Sequence, residues 1–188
     1  MDAWMWVVLA VVALVVVGAI VWYALQQRRS AQLKEGFGPE YERTVRETGD
    51  RRDAEERLSE RRERREELDI RPLSPDARER YAESWRQVQA HFVDEPAGAV
   101  VDADRLVQEV MHERGYPMED FEAQADLVSV DHPDVVHHYR EGHEIYLSYD
   151  RGDASTEDLR QAMKHYRALF EDLLETERSA EHERQEVR

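Results

Sequence analysis

The chain begins with an unbroken apolar stretch. Residues 3–25 contain no charged side chain and consist mainly of Val, Leu, Ala and Trp. A helix rises about 1.5 Å per residue, so about 20 residues cross the hydrocarbon core of a bilayer. Aromatic residues lie at both ends of the stretch, as they do in interfacial belts. The pattern predicts a transmembrane helix from Trp4 to Leu25, within an anchor that comprises residues 1–27.

A cleaved signal peptide is the alternative for this stretch. Such peptides have a basic start and an apolar core of about 7–15 residues. Here the apolar stretch is longer, and the only charged side chain before it is the acidic Asp2. Arg28, Arg29 and Lys34 follow it, and basic residues stay on the cytoplasmic side of a membrane. We therefore expect a single-pass protein of the cell membrane with its N-terminus outside and its C-terminal domain in the cytoplasm. The lipid bilayer, contacted through residues 4–25, is its first expected partner.

A stalk rich in both charges follows at residues 28–73. It holds 13 basic and 13 acidic side chains, and pairs such as Asp53–Arg57 lie one helical turn apart in the favourable order. Few apolar residues interrupt the charges between positions 49 and 69. This pattern favours a solvated helical spacer about 30 Å long. A coiled coil, and an oligomer formed through the stalk, is the alternative that the sequence leaves open.

Gly36, Gly38 and Pro39 lie between the apolar stretch and the most charged part of the stalk. Glycine lacks a Cβ atom and proline lacks a backbone donor, so this group predicts a break in the helix. We favour a bend that redirects the chain; a docking peptide for a partner is the alternative.

Helical periodicity dominates beyond residue 74. Apolar residues recur at spacings of three and four, and five stripes follow one another along the chain: Tyr81–Phe92, Ala103–Met111, Met118–Val128, Val135–Leu147 and Leu159–Leu174. We expect the first helix to begin after Ser74, the second to end at Gly115, and the next three to begin at Pro117, near Asp131 and at Ser155. The predicted fold class is therefore all-α: an N-terminal transmembrane helix, a charged helical stalk and a small bundle of four to five helices. The bundle comprises residues 74–176, and a frayed tail comprises residues 177–188.

The charge is concentrated in the bundle and tail. Residues 74–188 hold 28 acidic and 13 basic side chains, and the whole chain has a formal net charge of −16. This balance argues against nucleic acid as a partner, because phosphate binding needs a basic face. The chain has no cysteine, which excludes disulfides, thiolate zinc sites and cysteine nucleophiles.

Residues 131–150 contain four histidines and are the part of the sequence that most resembles a site. Consecutive helix residues diverge by about 100°, so we expect His137 and His138 to point in different directions and share no metal ion. His143 falls on the apolar face between Tyr139 and Tyr146. We expect it to be a hydrogen-bonded core residue, and a candidate pH-sensitive one, because burial would lower its pKa.

A metal-dependent helical-bundle enzyme is the main alternative class. Such bundles use Glu-x-x-His pairs, and Glu109–His112 matches that spacing, with Asp134–His137 a near match. Both pairs lie opposite the apolar stripes of their helices, which places them in water. The sequence therefore predicts no catalytic residue, no metal ligand and no cofactor.

Several blocks of the chain, among them "FGPEYERTV", "SVDHPDVVHHYR" and "LRQAMKHYRALFEDLL", resemble an uncharacterised family of single-span membrane proteins from high-GC bacteria. The resemblance covers most of residues 33–175. It implies the same arrangement of anchor, charged stalk and helical domain, and it carries no catalytic residues. Members are often labelled secreted, which leaves an extracytoplasmic envelope protein as a further alternative. We expect a membrane-anchored scaffold or adaptor without enzymatic activity, which presents an acidic helical domain to protein partners.

Overall fold

The computed structural model describes residues 3–118 and 120–186; within these ranges the side chains of residues 3, 5–13, 15, 150 and 175–186 lie outside the description. All regular structure in the described ranges is helical, which confirms the predicted all-α class. The helices are α1 (Ala3–Thr48), α2 (Arg51–Glu66), α3 (Pro75–Asp94), α4 (Pro96–Arg114), α5 (Phe121–Asp131), α6 (Val136–Asp150) and α7 (Thr156–Glu186).

The chain forms two compact units, Met1–Leu58 and Ser59–Arg188. The boundary falls inside α2, so the first half of this helix belongs to one unit and the second half to the other. The predicted boundaries after residues 27, 73 and 176 stay predictions. Helix α7 continues beyond residue 176 as far as Glu186, and all side chains of the predicted frayed tail lie outside the description.

The first unit is built from α1 and the start of α2. Gly38 interrupts α1 with φ 45° and ψ −122°, and Pro39 follows it, which confirms the predicted break. Thr48 ends α1, and Gly49 turns the chain with φ 71°. The Asp50 carboxylate then accepts hydrogen bonds from the backbone N–H groups of Arg52 and Asp53 in the first turn of α2, at 2.7 and 3.1 Å.

Helix α2 is not solvated on all sides. Ala54, Glu55 and Leu58 are buried within the first unit. Glu55 accepts hydrogen bonds from Ser30 Oγ at 2.9 Å and from the Tyr41 hydroxyl at 2.8 Å. The prediction of a solvated spacer is therefore wrong for this face, because one buried carboxylate ties α2 to residues on both sides of the break in α1.

The second unit contains the bundle. Its core joins apolar side chains of all five helices α3–α7, and α4 and α7 are its central pair with α3 and α6 packed beside them. Three tyrosines are among its largest fully buried side chains: Tyr116 after α4, Tyr139 of α6 and Tyr166 of α7. The expected bundle of four to five helices is confirmed.

Several helix ends lie where the sequence predicts them. Ser74 Oγ accepts a hydrogen bond from the Ala77 backbone at 3.1 Å, and Gly115 ends α4 with φ 103°. Two predicted helix starts are wrong. Helix α5 begins at Phe121 rather than Pro117, because Asp120 caps it, and α6 begins at Val136, because His132 still closes α5 through a backbone bond to Val128.

The second half of α2 contacts α5 through arginines. Arg61 lies 2.8 Å from an Asp126 oxygen, and Arg65 lies 2.5 Å from an Asp131 oxygen. Asp131 also accepts a 2.5 Å hydrogen bond from the buried Tyr116 hydroxyl. Partly buried arginine–carboxylate pairs place this half of α2 on the bundle, so the charged segment is part of the folded unit rather than a lone helix.

The predicted span from Trp4 to Leu25 lies within α1. Trp4 and Leu25 are both exposed, as is every side chain from residue 16 to residue 25, while those of residues 5–13 and 15 lie outside the description. No helix within the described residues is both long enough and apolar enough to cross a membrane.

Candidate functional sites

Four side chains from α6 and α7 form what we call the histidine cluster: His137, His138, Glu141 and His165. His138 Nδ1 lies 3.0 Å from His165 Nδ1, and Glu141 Oε2 lies 3.2 Å from the same His165 nitrogen. His138 Nδ1 and Glu141 Oε2 are 3.7 Å apart. The cluster therefore brings three potential ligand atoms from two helices into one small triangle.

His137 adjoins this triangle. His137, His138 and Glu141 each bring one potential ligand atom to within 4.8 Å of the others, and the His137 and His138 rings are 3.9 Å apart. The expected divergence of these two histidines is not what the structure shows. Their backbone directions differ by about 100°, but each imidazole extends two rotatable bonds beyond Cα, which lets neighbouring rings converge.

Close helix packing holds the cluster together. A Cβ atom placed on Gly142 would lie 3.2 Å from the Tyr166 ring, so α6 approaches α7 closely at this point. Glu141 precedes Gly142 and His165 precedes Tyr166, which makes the two side chains neighbours. His138 is about one-third exposed, and burial, followed by the charges of His137 and His165, lowers its pKa below the ordinary histidine value.

His143 lies on the other side of α6 and is half-buried. Its ring stacks on Phe121 at 3.7 Å and 9°, and its Nδ1 atom is buried without a hydrogen-bond partner. The prediction that His143 packs between two tyrosines is therefore incomplete, because its stacking partner, Phe121, belongs to α5. The predicted hydrogen bond of the ring is missing at Nδ1. Burial lowers the pKa of His143, which is the direction required of a pH-sensitive residue; that role stays a prediction.

Asp104 is an inward-facing carboxylate that the sequence interpretation missed. Its Oδ2 accepts a 2.6 Å hydrogen bond from Gln108, while its Oδ1 is buried and the Tyr166 hydroxyl also interacts with the carboxylate. Burial raises the pKa of Asp104, and lowering contributions from Tyr166, His143 and Gln108 do not cancel that effect. A signal was present in the sequence, because Asp104 lies only about 20° from the core residue Met111 on a helical wheel.

We expect Asp104→Asn to raise the melting temperature by a few degrees at pH 7.5 and to lose that gain near pH 4. Because the pKa of Asp104 is higher in the folded chain, the unfolded chain loses this proton at a lower pH than the folded chain does. The Asp104 carboxyl therefore contributes less to stability as pH rises from about 3.8 through its folded-state pKa. Asparagine removes the charge and keeps an acceptor for Gln108. Circular dichroism melts would measure the effect, with Asp134→Asn, an exposed acid, as the matched control. A gain that is equal at both pH values would contradict the assignment.

A second buried polar group joins α4, α5 and α7. Arg114 donates to His132 Nε2 at 3.1 Å and to the Leu173 carbonyl at 3.3 Å, and the other His132 nitrogen bonds to Asp172. The His132 side chain is fully buried. Because both ring nitrogens of His132 have partners, one in Arg114 and one in Asp172, this group links the three helices.

Of the two pairs that resemble di-metal motifs, Glu109–His112 lies in water as predicted, whereas the prediction is wrong for His137 of the second pair, which is partly buried. Glu109 and His112 are exposed on α4, and Asp134 is exposed before α6. The described residues contain a metal-capable group elsewhere, on α6, formed by His137, His138 and Glu141.

An open groove of about 780 Å³ follows α3 and α4. Acidic side chains predominate among its charged residues: Asp76, Glu79, Glu83 and Glu109 outnumber Arg80 and Arg86. Tyr81 lies in the same groove and donates a 2.7 Å hydrogen bond to Glu113. The groove is open and lined mainly by charged residues, which suits an extended protein surface better than a small apolar ligand.

Comparison with known proteins gives no match: no family model, curated protein or solved structure matches this chain.

Proposed function

We propose that this protein is a membrane-anchored adaptor whose acidic helical bundle binds a protein partner with a basic surface. The observation that carries the proposal is the exposed apolar part of α1. Every side chain from Val16 to Leu25 is exposed, and all but Gly18 are apolar or aromatic. Ten such residues make nearly three turns, so the apolar surface faces every direction around the helix.

Exposure of this apolar surface to water is strongly unfavourable. Burial of apolar area contributes roughly 25 cal/mol per Å², and a helix that is apolar all round is normally covered by protein or lipid. Arg28 and Arg29 follow the stretch after two glutamines, which favours lipid around the stretch and a cytoplasmic position for the residues beyond it.

The charge of the bundle supports a basic partner. Its acidic side chains outnumber its basic ones two to one, and the groove along α3 and α4 has the same bias. Complementary charge speeds association and selects partners. An acidic domain is also repelled by an anionic membrane surface, which keeps its faces available.

The topology can be tested with reporters fused to the C-terminus. We expect a fluorescent protein to be bright and an alkaline phosphatase to be inactive, because the bundle faces the cytoplasm. Deletion of residues 4–25 should move the chain from the membrane fraction to the soluble fraction. Active phosphatase would instead favour the extracytoplasmic alternative, and a full chain in the soluble fraction would contradict the anchor.

The adaptor role needs a separate experiment. Cross-linking in intact membranes should capture a basic protein with the full chain and lose it when residues 74–176 are deleted. The paired variant Asp76→Asn/Glu79→Gln should weaken capture, whereas Asp94→Asn/Asp134→Asn removes the same charge away from the groove and should not. Capture that is equal for both pairs would exclude the groove.

A further inference from the structure

The histidine cluster lacks an explanation in the adaptor function. It is partly exposed, since His165 is 22% and Glu141 is 52% accessible at the side chain, so an ion can reach it from solvent. It also contains an unsatisfied atom. His137 Nδ1 is buried and makes no hydrogen bond.

The spacing within the cluster matches a metal-ligand face. In a tetrahedral zinc site with bonds of about 2.0–2.1 Å, neighbouring ligand atoms are about 3.3 Å apart. The three separations among His138 Nδ1, His165 Nδ1 and Glu141 Oε2 are 3.0, 3.2 and 3.7 Å. A point about 2.05 Å from all three atoms lies about 0.7 Å from their plane, as it does in a regular tetrahedron.

Hydrogen bonding alone satisfies this arrangement only in part. His138 Nδ1 and His165 Nδ1 share one proton at 3.0 Å, since one of the two must act as the acceptor. His165 Nδ1 then has Glu141 Oε2 at 3.2 Å as a competing partner. A cation placed among the three atoms would engage one lone pair of each, and His137 offers a fourth donor atom.

We propose that His138, His165, Glu141 and His137 bind one divalent transition-metal ion of the zinc type. Three imidazoles and one carboxylate suit Zn²⁺, Co²⁺ or Ni²⁺, whereas Mg²⁺ and Ca²⁺ require oxygen ligands. The first three ligands close the triangle, and His137 completes the tetrahedron by rotation of its ring, since its ligand atom lies within 4.8 Å of those of His138 and Glu141. The ion would join the start of α6 to the middle of α7.

Zinc binding can be measured on the full chain in detergent, without a polyhistidine tag and after removal of metal with a chelator. We expect elemental analysis to find one zinc per chain after dialysis, and calorimetry to give a single site. Cobalt should show the visible absorption of four-coordinate Co²⁺. The melting temperature should rise with zinc and not with calcium or magnesium.

Variants locate the site. The paired variant His138→Gln/His165→Gln should weaken zinc binding at least 100-fold, and Glu141→Gln about 10-fold. His91→Gln/His112→Gln removes two histidines elsewhere and should leave the affinity unchanged. Circular dichroism checks that each variant is folded.

Three results would overturn the proposal. The first is less than about 0.1 zinc per chain in the parent protein. The second is a zinc affinity that the His138/His165 variant retains, and the third is calcium binding as tight as zinc binding, which would indicate unspecific attraction to an acidic surface. None of these results depends on membrane topology or on a protein partner, so the adaptor proposal is tested separately.

Discussion

Replacement of Trp85 by alanine should lower the free energy of unfolding by about 3–5 kcal/mol, the usual range for a large buried aromatic side chain. Trp85 is 5% exposed and stacks on Phe170 of α7 with ring centroids 4.7 Å apart. Its indole nitrogen has no hydrogen-bond partner, so the loss is one of packing. Domains of this size have a total stability of about 5–15 kcal/mol, and the variant should lose a large part of it.

Urea unfolding followed by far-ultraviolet circular dichroism measures this effect without depending on tryptophan fluorescence. Val93 provides the control on the same helix, because it is 82% exposed. Val93→Ala should change stability by less than about 0.5 kcal/mol. Equal midpoints for the two variants would mean that α3 contributes little to the core.

Replacement of Gly115 by alanine should lower the free energy of unfolding by about 3 kcal/mol. Gly115 has φ 103°, and a left-handed backbone alone disfavours alanine by about 1–2 kcal/mol. The new Cβ atom would also lie 2.6 Å from the Asp69 carbonyl oxygen. This backbone segment is held in place, since the Arg71 N–H donates a 2.7 Å hydrogen bond to the Arg114 carbonyl.

Gly152 separates the two contributions. It also has a positive φ, 84°, but a Cβ atom there would meet nothing within 4 Å. Gly152→Ala should therefore lose only about 1 kcal/mol, and the difference between the variants measures the contact with Asp69. Equal losses in thermal and urea unfolding would show that the segment around Asp69 moves away freely.

The sequence predicts the helices of the bundle well because helix formation is governed by near neighbours. The stripe from Tyr81 to Phe92 and the stop at Gly115 depend on spacing and on local dihedral preference. The missed start of α5 has a local reason too. Pro117 is a good first helical residue, but Asp120 offers a side-chain oxygen to the Ala123 N–H at 3.1 Å, which favours the later start.

The sites are harder to predict because their members are distant in sequence. His138 and His165 are 27 positions apart, and nothing local to either indicates the other. The charged segment of α2 has the same difficulty. Its balanced charges indicate a solvated helix. Arg61 and Arg65 contact the folded unit only because α5 places Asp126 and Asp131 beside them.

The sequence by itself therefore determined the helical class, the apolar N-terminal segment, the acidic bundle and most helix ends, since these properties follow from composition and from backbone bonds between near neighbours. Only the tertiary structure decided that His143 stacks on Phe121 and that His137, His138, Glu141 and His165 meet. The physical reason is that packing sets which helix faces approach each other. Ligand distances, burial and pKa values depend on that approach, which no spacing along a single helix specifies.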